Sequence, residues 1–289
     1  MKKRTKKKVG KFIGKLIKSI LKGIFYYPFK GLFWAIKKLF VYLAEKVRIT
    51  TKNHQEEVEQ KKRPEVEAKY DSLKIIKKIK GTVSTFENKL YKNKSTIGLI
   101  LGARGTGKSA IGMRLLENFK VKTNKTIYAL GFKEESLPRW IKATKDIEEI
   151  NNNSVILIDE GGIEFSSRKA MTNANKLLSE ILLIARHKDL AVIFITQNSA
   201  NLEVNAIRQA DYLILKPSSL LQKDFERKKI KTIYENVTDD FEELKDTVGI
   251  TYIFSDEFLG FITNSLPNFW NDKVSKGYAN RKKELKKTT

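Results

Sequence analysis

The sequence has no cysteine and only two histidines, His54 and His187, among its 289 residues. Disulfide bonds and thiolate metal sites are therefore excluded, and a zinc centre built on histidine has too few ligands. The fold must be stabilised by burial of apolar side chains, in keeping with a reducing compartment. With 41% hydrophobic residues, the chain is long enough for one α/β domain with a substantial core and an appendage.

Acidic residues are scarce at both ends of the chain. Residues 1–50 carry fifteen Lys and Arg but one acid, Glu45, and residues 273–289 carry seven basic residues and one acid. Of the net charge of +24, only +4 belongs to residues 51–272. The excess positive charge therefore lies at the ends, which favours anionic partners such as a membrane surface or nucleic acid there.

A long apolar run free of charge is also missing from the N-terminal segment, "KFIGKLIKSILKGIFYYPFKGLFWAIKKLFVYLAEKV". Its first lysines, Lys11, Lys15, Lys18 and Lys22, share one face of a predicted helix, opposite a broad Phe, Ile and Leu face. Pro28 is expected to break this helix, and a second apolar helix follows. We predict that residues 10–47 lie in an anionic membrane surface, because a lysine at mid-bilayer costs roughly 2.5–3.5 kcal/mol. A membrane span or hairpin, and a helix pair packed on a partner protein, are the alternatives.

From Ile97 onward, apolar strand-like runs alternate with helical patterns, which predicts a parallel sheet covered by helices on both faces. The predicted strands are Ile97–Leu101, Thr126–Leu130, Val155–Ile158, Ala191–Thr196 and Tyr212–Lys216. The predicted helices are Lys108–Phe119, Leu137–Thr144 and Lys176–His187. A charged helical stretch follows Lys216, and then two short strand-like runs, "TYIF" and "FLGFIT".

The first predicted strand leads directly into a phosphate-binding loop, "GARGTGKS", and then into a helix. This strand, loop and helix are the context that the G-x-x-x-x-G-K-[ST] motif requires. Lys108 is expected to bridge the β- and γ-phosphates, and Ser109 to ligate Mg²⁺. Because the guanine-reading pattern N-K-x-D is absent, we assign ATP as the nucleotide. The predicted nucleotide-binding residues are Gly102, Ala103, Arg104, Gly105, Thr106, Gly107, Lys108, Ser109 and Ala110.

Two acids end the third predicted strand, "VILIDE". Asp159 lies where it can hold Mg²⁺ through water, and Glu160 points the other way along the pleat, where it can polarise an attacking water. A glutamate beside the Mg²⁺ aspartate favours hydrolysis over binding alone. We therefore predict a Mg²⁺-dependent ATP hydrolase.

The strand "AVIFIT" also ends in polar residues, Thr196, Gln197 and Asn198. If it lies between the strands that carry Gly102 and Asp159, Gln197 comes within reach of the γ-phosphate. The three strand ends then meet in one pocket at the carboxyl edge of the sheet.

These motifs resemble the P-loop ATPases of the FtsK/HerA superfamily, and within it the zonula-occludens-toxin-like proteins of filamentous-phage assembly and related viral packaging enzymes. The likeness covers roughly residues 97–278. It rests on the P-loop, on "VILIDE", on "ARHKDLAVIFITQ" and on "LPNFWNDKVSKGY". One departure is that the phage proteins carry their membrane segment after the ATPase domain, whereas here the membrane-seeking segment comes first.

The resemblance implies a RecA-like ASCE core with a mostly parallel sheet of order 5-1-4-3-2, preceded here by N-terminal amphipathic helices. It implies that Gln197 senses the γ-phosphate and that Glu160 is the catalytic glutamate. It also implies a homo-oligomeric ring, typically a hexamer, in which an arginine from the neighbouring subunit completes the site. Arg186 is the first candidate for that arginine, and Arg168 and Arg208 are the next candidates.

Together these observations predict four parts of the chain. They are a basic amphipathic membrane-interacting segment at 1–47, a polar linker at 48–72, a P-loop ATPase domain at 73–272 and a basic C-terminal tail at 273–289. The expected location is the cytoplasmic face of a membrane, as a peripheral or monotopic protein, or a virion membrane.

The leading functional hypothesis is an ATP-driven motor at a membrane that moves DNA during virion packaging or extrusion. The tail from Arg281 to Lys287 would bind phosphates, and the absence of a helix-turn-helix or zinc finger predicts DNA binding without sequence specificity. The alternative is a membrane-bound assembly or secretion ATPase that acts on viral coat or membrane proteins. A third hypothesis is a scaffold that binds ATP and hardly hydrolyses it.

Overall fold

The computed structural model describes residues 15, 18, 19, 37–48, 63–144, 146–161, 170–202 and 204–275. It divides the chain into two compact units, 1–61 and 62–289. In the first unit, the described residues are helical, and Phe40 and Tyr42 of the helix at 37–48 are 74% and 61% exposed. None of the helices in these described ranges has the length and apolar character needed to cross a bilayer. The remainder of the predicted membrane segment, including Pro28, and the tail beyond residue 275 lie outside the described residues.

The second unit contains nine strands and eight helices among its described residues. The strands are β1 (Lys74–Gly81), β2 (Thr96–Leu101), β3 (Thr126–Leu130), β4 (Ile141–Thr144), β5 (Ser154–Asp159), β6 (Ala191–Ile195), β7 (Tyr212–Leu215), β8 (Thr251–Ser255) and β9 (Phe258–Thr263). The helices are α1 (Val83–Lys92), α2 (Lys108–Lys122), α3 (Ala170–Ala185), α4 (Val204–Arg208), α5 (Leu220–Phe225), α6 (Lys228–Asn236), α7 (Thr238–Glu243) and α8 (Asp272–Ser275).

The strands form one sheet in the order β1-β9-β8-β7-β2-β6-β5-β3-β4. The five strands predicted from the sequence are β7, β2, β6, β5 and β3, and they are neighbours in the predicted order and mutually parallel. The predicted α/β fold with a mostly parallel sheet is thus confirmed. The sheet is larger than predicted, because β8, β9 and β1 extend it with antiparallel pairs on one side and β4 adds a parallel edge on the other.

Two hydrophobic cores cover the two faces of the sheet. On β2, Leu99 and Leu101 belong to one core and Ile100 to the other, so alternate side chains point to opposite faces. Helices α3, α6 and α7 pack on the first face, and α1 and α2 on the second. Burial on both faces explains why these strands are continuous apolar runs.

Helix α2, which follows the P-loop, is buried on almost every side. Its inner face packs on the sheet, and its outer face carries the buried polar side chains Arg114, Glu117 and Asn118. Two segments of the chain cover that outer face. One is residues 63–72, where the N–H of Lys69 donates to Glu117 Oε1 at 3.0 Å, and the other is residues 264–270. The domain bounds predicted at 47 and 72 stay a prediction, but residues 63–72 lie against α2.

The helix predicted at Leu137–Thr144 is wrong. The chain forms a short 3-10 turn at Glu134–Ser136 and then β4, whose Ile141 is fully buried beside β3. Pro138 disfavours helical backbone in the residue before it. In addition, the buried guanidinium of Arg63 donates to the carbonyls of residues 137, 138 and 141. In a helix, the carbonyls of residues 137 and 138 would instead accept the N–H groups of residues 141 and 142.

Candidate active site

The P-loop has a shape that only glycine permits at two positions. Gly102 has φ +147°, and a Cβ there would lie 2.5 Å from the Cβ of Lys216. Gly107 has φ +89° and directly precedes α2. The loop therefore curls tightly between β2 and α2, and the first-turn N–H groups of the helix face its concave side.

Lys108 is buried inside this loop. Its Nζ donates to the carbonyl oxygens of Gly102 at 2.7 Å and Ala103 at 2.8 Å. Burial lowers the pKa of Lys108, and the nearby charges of Asp159 and Glu160 oppose that shift. The ammonium group thus occupies the position at which a P-loop lysine meets nucleotide phosphates.

Ser109 and Asp159 form the predicted magnesium pair. The hydroxyl of Ser109 donates to Oδ2 of Asp159 at 2.9 Å, and Oδ1 accepts the N–H of Gly161 at 3.1 Å. A hydroxyl and a carboxylate oxygen in contact at the mouth of a phosphate loop are the hard oxygen ligands that Mg²⁺ prefers. These residues therefore fit the ion that the sequence predicts.

Glu160 is held by the neighbouring strand end. It is buried, and one oxygen of its carboxylate accepts a short hydrogen bond from the hydroxyl of Thr196. The backbone N–H of Asn198 donates back to that hydroxyl at 3.2 Å. Thr196 thus couples the predicted catalytic glutamate to the loop that carries Gln197.

Gln197 lines the same cavity as the phosphate loop. Strand β6 lies between β2 and β5, which is the arrangement that Gln197 needs to reach the γ-phosphate. The cavity has a volume of about 310 Å³, at the lower end of the roughly 300–1,000 Å³ of ligand pockets. Its wall includes Lys108, Ser109, Asp159 and Gln197. The structure thus brings these predicted side chains together; their catalytic roles stay predictions.

The candidate arginines lie elsewhere. Arg186 follows α3 and Arg208 ends α4, so both precede the amino ends of the next strands, whereas the cavity lies at the carboxyl ends. Both side chains are exposed. Arg168 lies outside the described residues. A role for Arg186 in completing a neighbour's site therefore stays a prediction.

Two residues near the P-loop were not predicted as site residues. Lys216, just after β7, is 1% exposed, and its Nζ donates to the carbonyl of Gly249 at 2.8 Å. Burial lowers the pKa of Lys216 to about 7. Trp270 is half-buried and lines the cavity. The sequence signal that could have indicated a role for Lys216 near the P-loop is its position at the end of the apolar run "YLILK". No local feature of the sequence indicated that Trp270 lies at the site.

Comparison with known proteins identifies the family. The profile of the Zonular occludens toxin (Zot) family matches residues 109–255, just over half of the chain. The chain belongs to the Zot family. Its predicted resemblance to the zonula-occludens-toxin-like proteins is thereby confirmed, and this Zot-family protein is a nucleotide-binding P-loop enzyme that hydrolyses ATP.

Several solved structures are similar to this Zot-family protein. The genome packaging NTPase B204 from Sulfolobus turreted icosahedral virus 2, in complex with ATP-gammaS, is 16% identical with a TM-score of 0.37, over 60% of this chain and 100% of that one. The cytoplasmic domain of the type VII secretion ATPase EccC from Thermomonospora curvata is 16% identical with a TM-score of 0.40, over 60% and 26%. The N-terminal domain of zonular occludens toxin from Neisseria meningitidis is 13% identical with a TM-score of 0.34, over 63% and 97%. No curated protein matches the chain.

Proposed function

We propose that this Zot-family protein is an ATP-driven motor that works as a homo-oligomeric ring at a membrane and moves DNA during virion packaging or extrusion. Bound ATP would carry Mg²⁺, which Ser109 and Asp159 would hold. Glu160 takes the proton of the attacking water, and Gln197 responds to the loss of the γ-phosphate.

The observation that carries this proposal is the contact between the Gln197 loop and a segment outside the sheet. The side chain of Gln222, on α5, donates to the backbone carbonyl of Gln197. Glu226 accepts the N–H of Ser199 at 2.7 Å, and Nε of Arg227 donates to the Ser199 carbonyl at 3.1 Å. A movement of Gln197 on hydrolysis would therefore be transmitted through these hydrogen bonds to α5 and α6. A motor needs such a connection between its nucleotide site and the rest of the domain, whereas a protein that only binds ATP does not.

Charge supports DNA as the transported polymer. In addition to the basic tail, the edge strand β1 exposes Lys74, Lys78 and Lys80. Lysines on an open strand and in a basic tail suit contacts with phosphates, and such contacts carry no sequence information. Binding to DNA is therefore expected to be strong at low salt and independent of sequence.

Membrane association is the second part of the proposal. The helix at 37–48 exposes large apolar side chains, including Leu39, Phe40 and Leu43. The lysines of residues 10–47 would lie at anionic headgroups while such side chains enter the interface. The ATPase would then work at the cytoplasmic face of a membrane or in a virion membrane.

DNA-stimulated ATP hydrolysis by the full-length chain in detergent tests the motor. We expect DNA to raise the hydrolysis rate and this effect to weaken with salt. Replacing Arg281, Lys282 and Lys283 by Gln should lower the magnitude of the salt slope by about 0.9 for each duplex phosphate that the variant no longer neutralises. The matched control also removes three charges, by replacing the exposed lysines Lys228, Lys229 and Lys245 by Gln.

The alternative function is a membrane assembly or secretion ATPase that acts on proteins. The DNA-motor proposal would be overturned if the rate of ATP hydrolysis by the purified protein does not change when DNA is added and the protein shows no salt-sensitive DNA binding. Stimulation by a coat or membrane protein under the same conditions would then favour the alternative.

A further inference from the structure

The nucleotide cavity has an aromatic wall as well as a phosphate-binding end. The phosphate end is built from Lys108, Ser109 and the P-loop glycines, which suit anions. Trp270 lines the same cavity, and among its described lining residues it is the aromatic one. Its side chain is half-buried, so part of the ring faces the cavity while the rest packs on the core.

The backbone on both sides of Trp270 is firmly held. Phe269 is buried, and its ring packs edge-to-face on Trp140 with 5.4 Å between centroids. On the other side, Asn271 directly precedes α8, and its Oδ1 accepts the N–H groups of Lys273 at 2.9 Å and Val274 at 3.2 Å. The N–H of Trp270 itself donates to the Pro267 carbonyl at 2.9 Å. The backbone position from which the indole of Trp270 projects is therefore determined by the fold.

The same helix that carries the phosphate lysine also anchors this segment. Arg114 Nη2 donates to the hydroxyl of Ser265 at 2.9 Å, and Glu117 Oε2 accepts the N–H of Asn268 at 3.0 Å. The side chains of Arg114 and Glu117 are buried and paired at 2.8 Å. The distance between the phosphate end of the cavity and Trp270 is thus set by one rigid element, α2.

ATP has the two chemical features that such a cavity accommodates, a polyanionic chain and a flat aromatic base. With the phosphates held by the P-loop, the base must lie against another part of the wall. We propose that the base of the bound nucleotide stacks on the indole of Trp270. This inference rests on the nucleotide site described above and adds to it a role for the segment 264–275, which binds the part of ATP that the P-loop does not touch.

Comparing two ligands separates stacking from phosphate binding. The ligands are a non-hydrolysable ATP analogue and inorganic tripolyphosphate, which lacks the base, and their dissociation constants are measured with the full-length chain by calorimetry. Trp270→Leu should weaken binding of the analogue about thirtyfold, the middle of the range for one base on an aromatic ring, and leave tripolyphosphate affinity within about twofold. Trp270→Phe, which keeps an aromatic face, should retain most of the affinity.

Tryptophan fluorescence gives an independent measurement, with Trp140→Phe as the matched control. The analogue, but not tripolyphosphate, should quench the emission of the wild type and of Trp140→Phe, and the response should disappear in Trp270→Phe. Wild-type affinity for the analogue in Trp270→Leu overturns the stacking inference, as does an equal loss of affinity for both ligands. If the wild type binds neither ligand, the nucleotide site itself is wrong.

Discussion

At the scale of single residues, the proposed catalytic role of Glu160 depends on how its side chain is held. The hydroxyl of Thr196 donates to its carboxylate, while Lys108 and Ser109 line the nucleotide cavity. The proposed roles in binding and in chemistry therefore belong to different side chains, and we expect that a substitution can affect one without the other.

We expect Glu160→Gln to lower the rate of ATP hydrolysis by about 10²–10⁴-fold and to leave ATP affinity nearly unchanged, because the amide cannot accept the proton of the attacking water. Steady-state phosphate release and equilibrium nucleotide binding measure the two quantities. Glu242→Gln, on the exposed side of α7, is the control. Unchanged turnover in Glu160→Gln would instead contradict the catalytic role of Glu160.

Lys216 makes stability depend on pH. Burial lowers its pKa from the usual 10.5 to about 7, so between those values the unfolded chain binds a proton that the folded chain has released. Stability therefore rises with pH across this window. The free energy of unfolding of the wild type should rise relative to Lys216→Met by about 1 kcal/mol per pH unit between pH 7 and 9.

Urea denaturation at pH 7, 8 and 9 measures this difference, with the exposed Lys229→Met as the control for loss of a charge. A difference that stays constant over the range would show that Lys216 keeps its proton in the fold. The carbonyls of Gly249 and Ile250 would then be strong enough partners for the ammonium.

At the scale of elements, helix α2 organises the second unit of the chain. Its inner face packs on the sheet, and its outer face binds residues 63–72 and 264–270 through the buried pair of Arg114 and Glu117. Removing one member of such a pair leaves a buried charge without its partner.

Arg114→Ala should therefore lower the free energy of unfolding by about 3–5 kcal/mol. The matched control is Glu65→Ala, which breaks the ion pair with Arg139, where the side chains are 79% and 40% exposed. That change should cost less than about 1 kcal/mol. Denaturant unfolding of the full-length variants measures both, and equal small effects would mean that the outer face of α2 contributes little.

Comparison of these elements with the sequence shows which of them could be predicted from local residues and which could not. The P-loop, β5 with Asp159 and Glu160, and β6 with Gln197 are each specified by consecutive residues, and these were predicted correctly as strands and loop. The region around Pro138 was predicted wrongly. The buried Arg63, more than seventy residues away along the chain, donates hydrogen bonds to the backbone carbonyls of residues 137 and 138. Trp270 was not predicted as a site residue for the same reason. The residues of α2 that bind its segment, 264–270, lie about 150 residues earlier in the chain.

At the scale of the whole molecule, the proposed motor depends on how copies of the chain combine. In a ring, Arg186 of one subunit would complete the site of the next, and its exposed position at the amino edge of the sheet leaves it accessible to a neighbour. We expect Arg186→Ala to lower turnover by about 10³-fold or more, the range found for arginine fingers.

A mixing experiment tests whether this arginine acts between subunits. Arg186→Ala and Glu160→Gln chains are each expected to be nearly inactive, but mixed rings contain some sites with both residues intact. Partial recovery of hydrolysis on mixing is the expected result, with Arg208→Ala as the comparison variant. Absence of recovery would contradict a role in the neighbour's site.

Membrane binding is also a property of the whole chain. The full-length protein should sediment with vesicles of anionic lipid at low salt, and less with neutral vesicles. Lys15→Glu together with Lys18→Glu should weaken this binding, whereas Lys228→Glu with Lys229→Glu should not. Equal sedimentation of all variants with both vesicle types would contradict an electrostatic surface anchor.

The amino-acid sequence by itself determined the phosphate loop, the two acids at the end of β5, the polar end of β6 and the existence of the five central strands. These features depend on residues that are adjacent in the chain and on the alternation of apolar runs. Only the tertiary structure decided that β1, β8 and β9 join the sheet, that β4 is a strand, that Lys216 is buried behind the loop and that Trp270 faces the nucleotide cavity. Those outcomes depend on contacts between distant residues, where burial and hydrogen bonding outweigh local propensity.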